Sequence, residues 1–238
     1  THHRSSAASD VYKRQIMEGR PEAKPLMRLA NMAEDLGYDS VWIGDSLTAR
    51  PRHEPLTLMA GIAGATSRIK MGTAVLLPAL RNPVLLAHIV ATLDQVSDGR
   101  VILGYGIAGD MENIRQEFES AGVPFEKRVG RMIEGLQLCR ALWTGEKVDW
   151  DGLWKLQGEQ IGPTPVQEGG PPVWIGGSHE NSLKRAAKHF DGWFPTGPEA
   201  QVCGGQWQEV QAYAKAAGRP DGDMTCLLYT SPSPRDTL

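Results

Sequence analysis

Cysteine is scarce in this chain: Cys139, Cys203 and Cys226 are the only three in 238 residues, and no two stand in a C-x-x-C arrangement. That pattern argues against a thiolate zinc site and a disulfide framework, and it suits a reducing compartment; no metal is expected. No apolar run approaches the roughly 20 residues that cross a bilayer, and the first residues lack the apolar core of an export leader. The formal net charge is only −3, so neither nucleic acid nor an anionic membrane is an expected partner. Low-complexity tracts and solenoid-length repeats are missing too. These absences point to a cytoplasmic globular protein acting on a small molecule. The length suits one large α/β domain.

What the chain does have is short apolar runs that end in glycine. Val101-Ile-Leu-Gly-Tyr-Gly106 and Pro172-Val-Trp-Ile-Gly-Gly-Ser178 are the clearest. An unbroken apolar run reads as a buried parallel strand. Glycines at its end let a flat ligand approach the backbone, and a following helix offers N–H groups to a phosphate. Two such units suggest a phosphate-bearing cofactor at the C-terminal ends of a parallel sheet.

The rest of the chain fits that picture. Leu26 to Leu36 has helical spacing closed by Gly37, and Asp39 to Gly44 reads as a strand. A helix follows Pro55, a strand spans Ile69 to Leu77, and Asn82-Pro83 opens a helix through Val96. Ser97-Asp-Gly99 turns into the strand at Val101. The alternation then lapses. Val129 to Trp143 is helical, and Asp151-Gly152 marks a hairpin. Strand and helix resume at Pro172 and Glu180, a short strand spans Asp191 to Phe194, and a helix runs from Trp207 to Ala217. Strands separated by single helices require a parallel sheet, either open and doubly wound or closed into a barrel.

The ends read differently. Residues 1–15 and 226–238, the latter with Ser231-Pro-Ser-Pro-Arg235, fit no periodic pattern and resemble translated cloning sequence. The expected native domain is 16–225, with strands missing on both sides.

An ordered set of phrases resembles one family. It comprises Gly37-Tyr-Asp-Ser-Val-Trp-Ile-Gly-Asp45, Ala65-Thr-Ser-Arg-Ile-Lys-Met-Gly-Thr-Ala-Val75, Asn82-Pro-Val-Leu-Leu-Ala-His88 and Leu93-Asp-Gln-Val-Ser-Asp-Gly-Arg100. Gly122-Val-Pro-Phe125, Val173-Trp-Ile-Gly-Gly177 and Asp191-Gly-Trp-Phe194 complete it. Together they resemble the bacterial luciferase-like monooxygenases, which use FMN or the deazaflavin F420. The resemblance implies a TIM (β/α)8-type barrel of which strands two to six are recognisable, with an insertion after the fourth strand.

Candidate site residues follow strand by strand. Gly176, Gly177 and Ser178 form the phosphate turn; alternatively Ser178 merely caps a helix, with His179 beside it. Gly104 and Gly106 are candidate cofactor contacts. With Gly109 they also match G-x-G-x-x-G, the fingerprint of an NAD(P)-dependent Rossmann dehydrogenase, although acidic Asp110 and Glu112 follow. At Thr73, Ala74 and Val75 the family carries a backbone bulge against the flavin, often with a non-proline cis peptide. Asp45 and Ser46 are the catalytic candidates; many family members have histidine at the place of Ser46, and serine is no base without a partner. A loop-capping role for Asp45 is the alternative. His88 reads as a satisfied structural histidine, His53 as a loop residue near the mouth, and Trp150 and Trp154 as hairpin packing. The resulting expectation is a flavin- or F420-dependent oxidoreductase of monooxygenase type acting on a small organic substrate. A separate reductase would supply reduced cofactor, and the full-length parent would form a homodimer. The alternatives are a non-catalytic flavin-binding homologue, an inactive fragment and, third, the Rossmann enzyme.

Overall fold

The computed structural model describes residues 22–195, 200–220 and 222–226. Residues 1–15, and all but Cys226 of 226–238, lie outside the described residues. Helix α1 (Ala23–Asp35) buries Leu26, Ala30 and Ala33. Gly37, at φ 78°, ends it in the left-handed conformation that only glycine adopts at no steric cost. Strand β1 (Ser40–Ile43) follows. Helix α2 (Pro55–Ala65) has Pro55 in its first turn and the Glu54 carboxylate accepting from the Thr57 N–H. Strand β2 (Lys70–Thr73) is shorter than the apolar run suggests. Its ladder stops at the cis peptide between Ala74 and Val75, and pairing resumes as a single bridge from Leu76 to Tyr105. In α3 (Pro83–Ser97), Asn82 Oδ1 accepts from Val84 N at 2.9 Å and Leu85 N at 3.3 Å. Asp98 and Gly99, both at positive φ, turn the chain into β3 (Val101–Tyr105).

The insertion lies where it was expected. It holds α4 (Glu112–Ser120), α5 (Arg128–Trp143) and an antiparallel hairpin of β4 (Val148–Asp151) and β5 (Lys155–Glu159). The hairpin docks on α5: Trp150 Nε1 donates to Glu134, and Arg131 lies over the Trp154 ring. Helix α4 left no periodic signal, because it buries only Glu117 and Phe118. The barrel pattern then resumes with β6 (Val173–Gly176), α6 (Glu180–His189), β7 (Gly192–Phe194), α7 (Ala200–Ala216) and β8 (Thr225–Cys226). The domain boundary drawn at 225/226 passes through β8, which pairs with β7.

Six strands form one sheet in the order β1-β2-β3-β6-β7-β8, and every pairing is parallel. Neighbours follow chain order throughout, and only the hairpin is left out. A doubly wound Rossmann sheet reverses its strand order at the ligand crevice; this sheet has no reversal. The arrangement is an incomplete TIM-type barrel, and the Rossmann alternative falls with it.

Side chains alternate across each strand. Val41, Ile43, Met71, Leu103, Tyr105, Ile175 and Trp193 face outward into the main core with the helices. Trp42, Ile102, Trp174 and Phe194 face inward and form a second, separate cluster. His88 corrects its expected role. The buried face of α3 runs through Leu86, Ala87, Val90 and Ala91, so His88 projects outward with Leu85 and Ile89 and is exposed.

Candidate active site

Parallel strands deliver all their C-terminal ends to one face, where barrel enzymes place their chemistry. On this face Gly104, Gly106 and Gly176 converge on two side chains. A Cβ on Gly104 would lie 2.0 Å from the Thr73 carbonyl oxygen and 2.7 Å from the Phe194 ring. One on Gly106 would lie 2.3 Å from Val75, and one on Gly176 2.8 Å from Phe194. The glycines therefore do not leave bare backbone for a ligand. Val75 and Phe194 fill the room beside them and form an apolar floor, with Ala74 exposed at its edge.

The remaining strand-end candidates are committed to structural bonds. Thr73 is fully buried, and its Oγ1 accepts from Gly104 N and donates to Gly104 O, both at 2.9 Å. It ties β2 to β3 and does not face the mouth. Asp45 accepts from Arg81 Nη1 at 2.5 Å, Arg81 Nη2 at 3.2 Å and Leu77 N at 2.9 Å. Ser46 is buried; its hydroxyl donates to Glu117 Oε1 at 2.8 Å and accepts from Arg50 N at 2.9 Å. Both residues hold loops, and in this geometry neither side chain is available to exchange a proton with a ligand. The loop-capping alternative for Asp45 is the one the hydrogen bonds support.

Sequence reasoning missed Glu117. This fully buried carboxylate reaches from the insertion to gather Ser46 Oγ and the N–H groups of Leu47, Thr48 and Ala49 on one oxygen, leaving Oε2 without a partner. Nothing in a polar helix marks one glutamate for that role.

At the phosphate turn Gly177 has φ 136°, and Trp193 Nε1 donates to its carbonyl oxygen at 2.7 Å. The cap of α6 is His179, not Ser178: its Nδ1 accepts from Asn181 N at 3.2 Å. Two arginines were also missed: Arg185, tied to the turn through Ser182, and Arg128, bonded to the loop after β3 and within electrostatic reach of Arg185. Arg185 Nη2 donates to Ser182 Oγ at 3.3 Å, while its Nε is buried without a partner. Arg128 Nε donates to the Ile107 carbonyl at 2.9 Å, and its guanidinium lies 3.7 Å over the Phe125 ring. The Arg185 pKa is lowered, first by burial and then by the positive charge of Arg128. Neither arginine forms an ion pair among the described residues. Asp110, the acidic neighbour expected to repel a phosphate, is paired with Arg115 at 2.7 Å. An anion between the β3 and β6 loops would thus meet two guanidinium groups and the positive end of α6.

A cavity of about 670 Å³ lies at the opposite, N-terminal ends of the strands, lined by Ser40, Trp42, Lys70, Ile102 and Trp174 among others. That face of a barrel serves stability rather than chemistry. It is the concave interior of the sheet, open below the aromatic cluster. Among the described residues no helix is long and apolar enough to cross a membrane.

A family model described as luciferase-like monooxygenase matches residues 4–238. The chain belongs to the luciferase-like monooxygenase family. This luciferase-like chain is 34% identical over 180 residues to an F420-dependent glucose-6-phosphate dehydrogenase of Nocardia farcinica, a match covering 73% of the chain and 53% of that protein. It is 36% identical over 203 residues to a 5,10-methylenetetrahydromethanopterin reductase of Archaeoglobus fulgidus, covering 85% of the chain and 58% of that protein. The crystal structure of a monooxygenase from Streptomyces bottropensis superposes with a TM-score of 0.73 at 25% identity, covering 87% of this chain and 65% of that one. The chain thus spans little more than half the length of these two curated relatives.

Proposed function

We propose that this chain is the cofactor-binding sector of an F420-dependent oxidoreductase that moves hydride to or from a small organic substrate. The observation that carries the reading is the pairing of Arg128 with Arg185, whose Nε is orphaned, at the Gly177 turn, next to the apolar floor of Val75 and Phe194. A ligand with a flat ring at one end and a phosphate at the other fits both. The F420-dependent names of several relatives support that cofactor class.

When bound, the deazaflavin supplies hydride exchange, and the protein supplies orientation and a dry surface. Val75 and Phe194 would give the deazaflavin ring an apolar, water-poor surface. Arg128, Arg185 and the first turn of α6 would neutralise its phosphate. The Ser46 hydroxyl keeps its proton and directs it at Glu117 Oε1, so this serine does no acid–base work where the family often has histidine. Where hydride moves to the substrate, a separate reductase supplies the reduced cofactor; the reaction belongs to a longer, dimeric parent.

The test is an anaerobic titration of the 238-residue chain with F420 and with FMN, followed by absorbance and fluorescence. F420 binds more tightly, and Arg185→Gln weakens it roughly tenfold or more through loss of a charge-assisted contact. An Arg185→Gln variant with unchanged affinity sinks the phosphate assignment. A second reading, FMN-dependent oxygenation, draws on the likeness to the Streptomyces monooxygenase; tighter binding of FMN, with oxygen consumed by the reduced complex, would establish it instead.

A further inference from the structure

Arg52 stands apart from every other arginine around the mouth. It lies in the loop between β1 and α2, and its Nη1 sits 1.7 Å from where a Cβ on Gly44 would be, with the Ala74 carbonyl oxygen 3.6 Å from the same point. The guanidinium therefore rests on the inward face at the end of β1, in line with Ser40 and Trp42. Gly44 is glycine because the arginine occupies its side-chain space. The Nε of Arg52 is buried and has no partner, and the guanidinium makes no hydrogen bond or ion pair among the described residues.

No nearby carboxylate among the described residues reaches Arg52. Asp45 and Glu54 both bind Arg81, and Glu117 gathers the loop at 46–49 through Oε1 while its buried Oε2 makes no hydrogen bond. A buried donor left unmade costs about 1–3 kcal/mol, and a guanidinium fork matches a carboxylate or phosphate in two-point fashion. We propose that Arg52 is the seat of an oxyanion carried by the substrate. The phosphate corner at β6 lies three strand spacings away, about 14 Å across the sheet, so one phosphate cannot serve both places. The inference rests on the proposed function only for taking this face as the reactive one.

The test uses the 15N-labelled 238-residue chain, with inorganic phosphate and acetate as probes and arginine Nε–Hε resonances as readout. Besides any response of Arg128 and Arg185 to phosphate, the wild type should show a further saturable shift in the millimolar range, shared by acetate, that Arg52→Gln removes. Gly44→Ala should remove it too, because the new Cβ displaces the guanidinium while leaving its charge. F420 affinity, measured in parallel, should stay within about threefold in Arg52→Gln, because the proposed anion belongs to the substrate. A wild type without that further shift, or an unchanged response in folded Arg52→Gln, overturns the proposal. A loss of F420 binding equal to the loss of the phosphate response also overturns it, by assigning Arg52 to the cofactor. If the wild-type chain binds no F420 yet the Arg52 response persists, the proposed function fails and this inference survives.

Discussion

Tyr105 carries a polar atom that the fold does not use. The residue faces outward from β3 into the main core, fully buried, and its hydroxyl has no partner. Burial, then the nearby Cys139 thiol, pushes the Tyr105 pKa well above its ordinary value. A buried unsatisfied hydroxyl costs stability, so removing it without changing the ring is neutral or favourable. Tyr105→Phe should leave stability unchanged or raise it by up to about 1 kcal/mol; a clear drop in Tm on thermal denaturation would reveal a hidden partner. Cys139 is likewise a packing residue. Burial raises its thiol pKa to about 12, and Sγ donates to the Pro83 carbonyl at 3.3 Å.

At the scale of elements, Glu34 at the end of α1 fastens the entry to β2. Its carboxylate accepts from Ser67 N at 3.0 Å, Arg68 N at 2.6 Å and Ile69 N at 2.7 Å. Burial alone would raise its pKa, but the backbone N–H groups of Ile69, Ser67 and Arg68 outweigh it and bring the value down to about 2 from 4.5. The folded-state pKa lies below the unfolded one, so the contribution is complete above pH 4.5 and is lost as pH falls toward 2. Its size is about 2 kcal/mol after allowance for solvent screening. Urea unfolding between pH 6 and pH 2.5 should show that loss in the wild type and a flatter profile in Glu34→Gln. Parallel profiles would assign the acid sensitivity elsewhere.

At the scale of the molecule, Phe194 joins strands far apart in sequence. Its ring covers Gly104 and Gly176 and meets Trp42 edge-on at 6.2 Å between centroids. Trp42 in turn lies 5.6 Å from Trp174. On the inner surface Trp42 of β1, Trp174 of β6 and Phe194 of β7 thus form one aromatic layer with Ile102 of β3 packed against it, and the proposed cofactor floor is its upper edge. Phe194→Ala should cost about 3–5 kcal/mol by cavity formation. It should also weaken F420 binding even at temperatures where the chain remains folded. Loss of stability with cofactor affinity intact would separate the floor from the site.

The sequence by itself determined the elements and their order. Glycine at 37 and 99, Asn82 before Pro83, and apolar runs of four or five residues are local signals, and each specifies its own backbone. The family phrases determined the barrel, because they preserve the order of those elements. Only the tertiary structure decided which of the candidate side chains are tied into loops and which are left unpaired. Asp45 and Ser46 end a strand on the reactive face, yet Arg81 and Glu117, 36 and 71 residues away, bind them into the loops. Arg52, Arg128 and Arg185 sit in unremarkable polar stretches. What sets them apart is which carboxylates lie within reach, and that depends on how elements distant in sequence pack together.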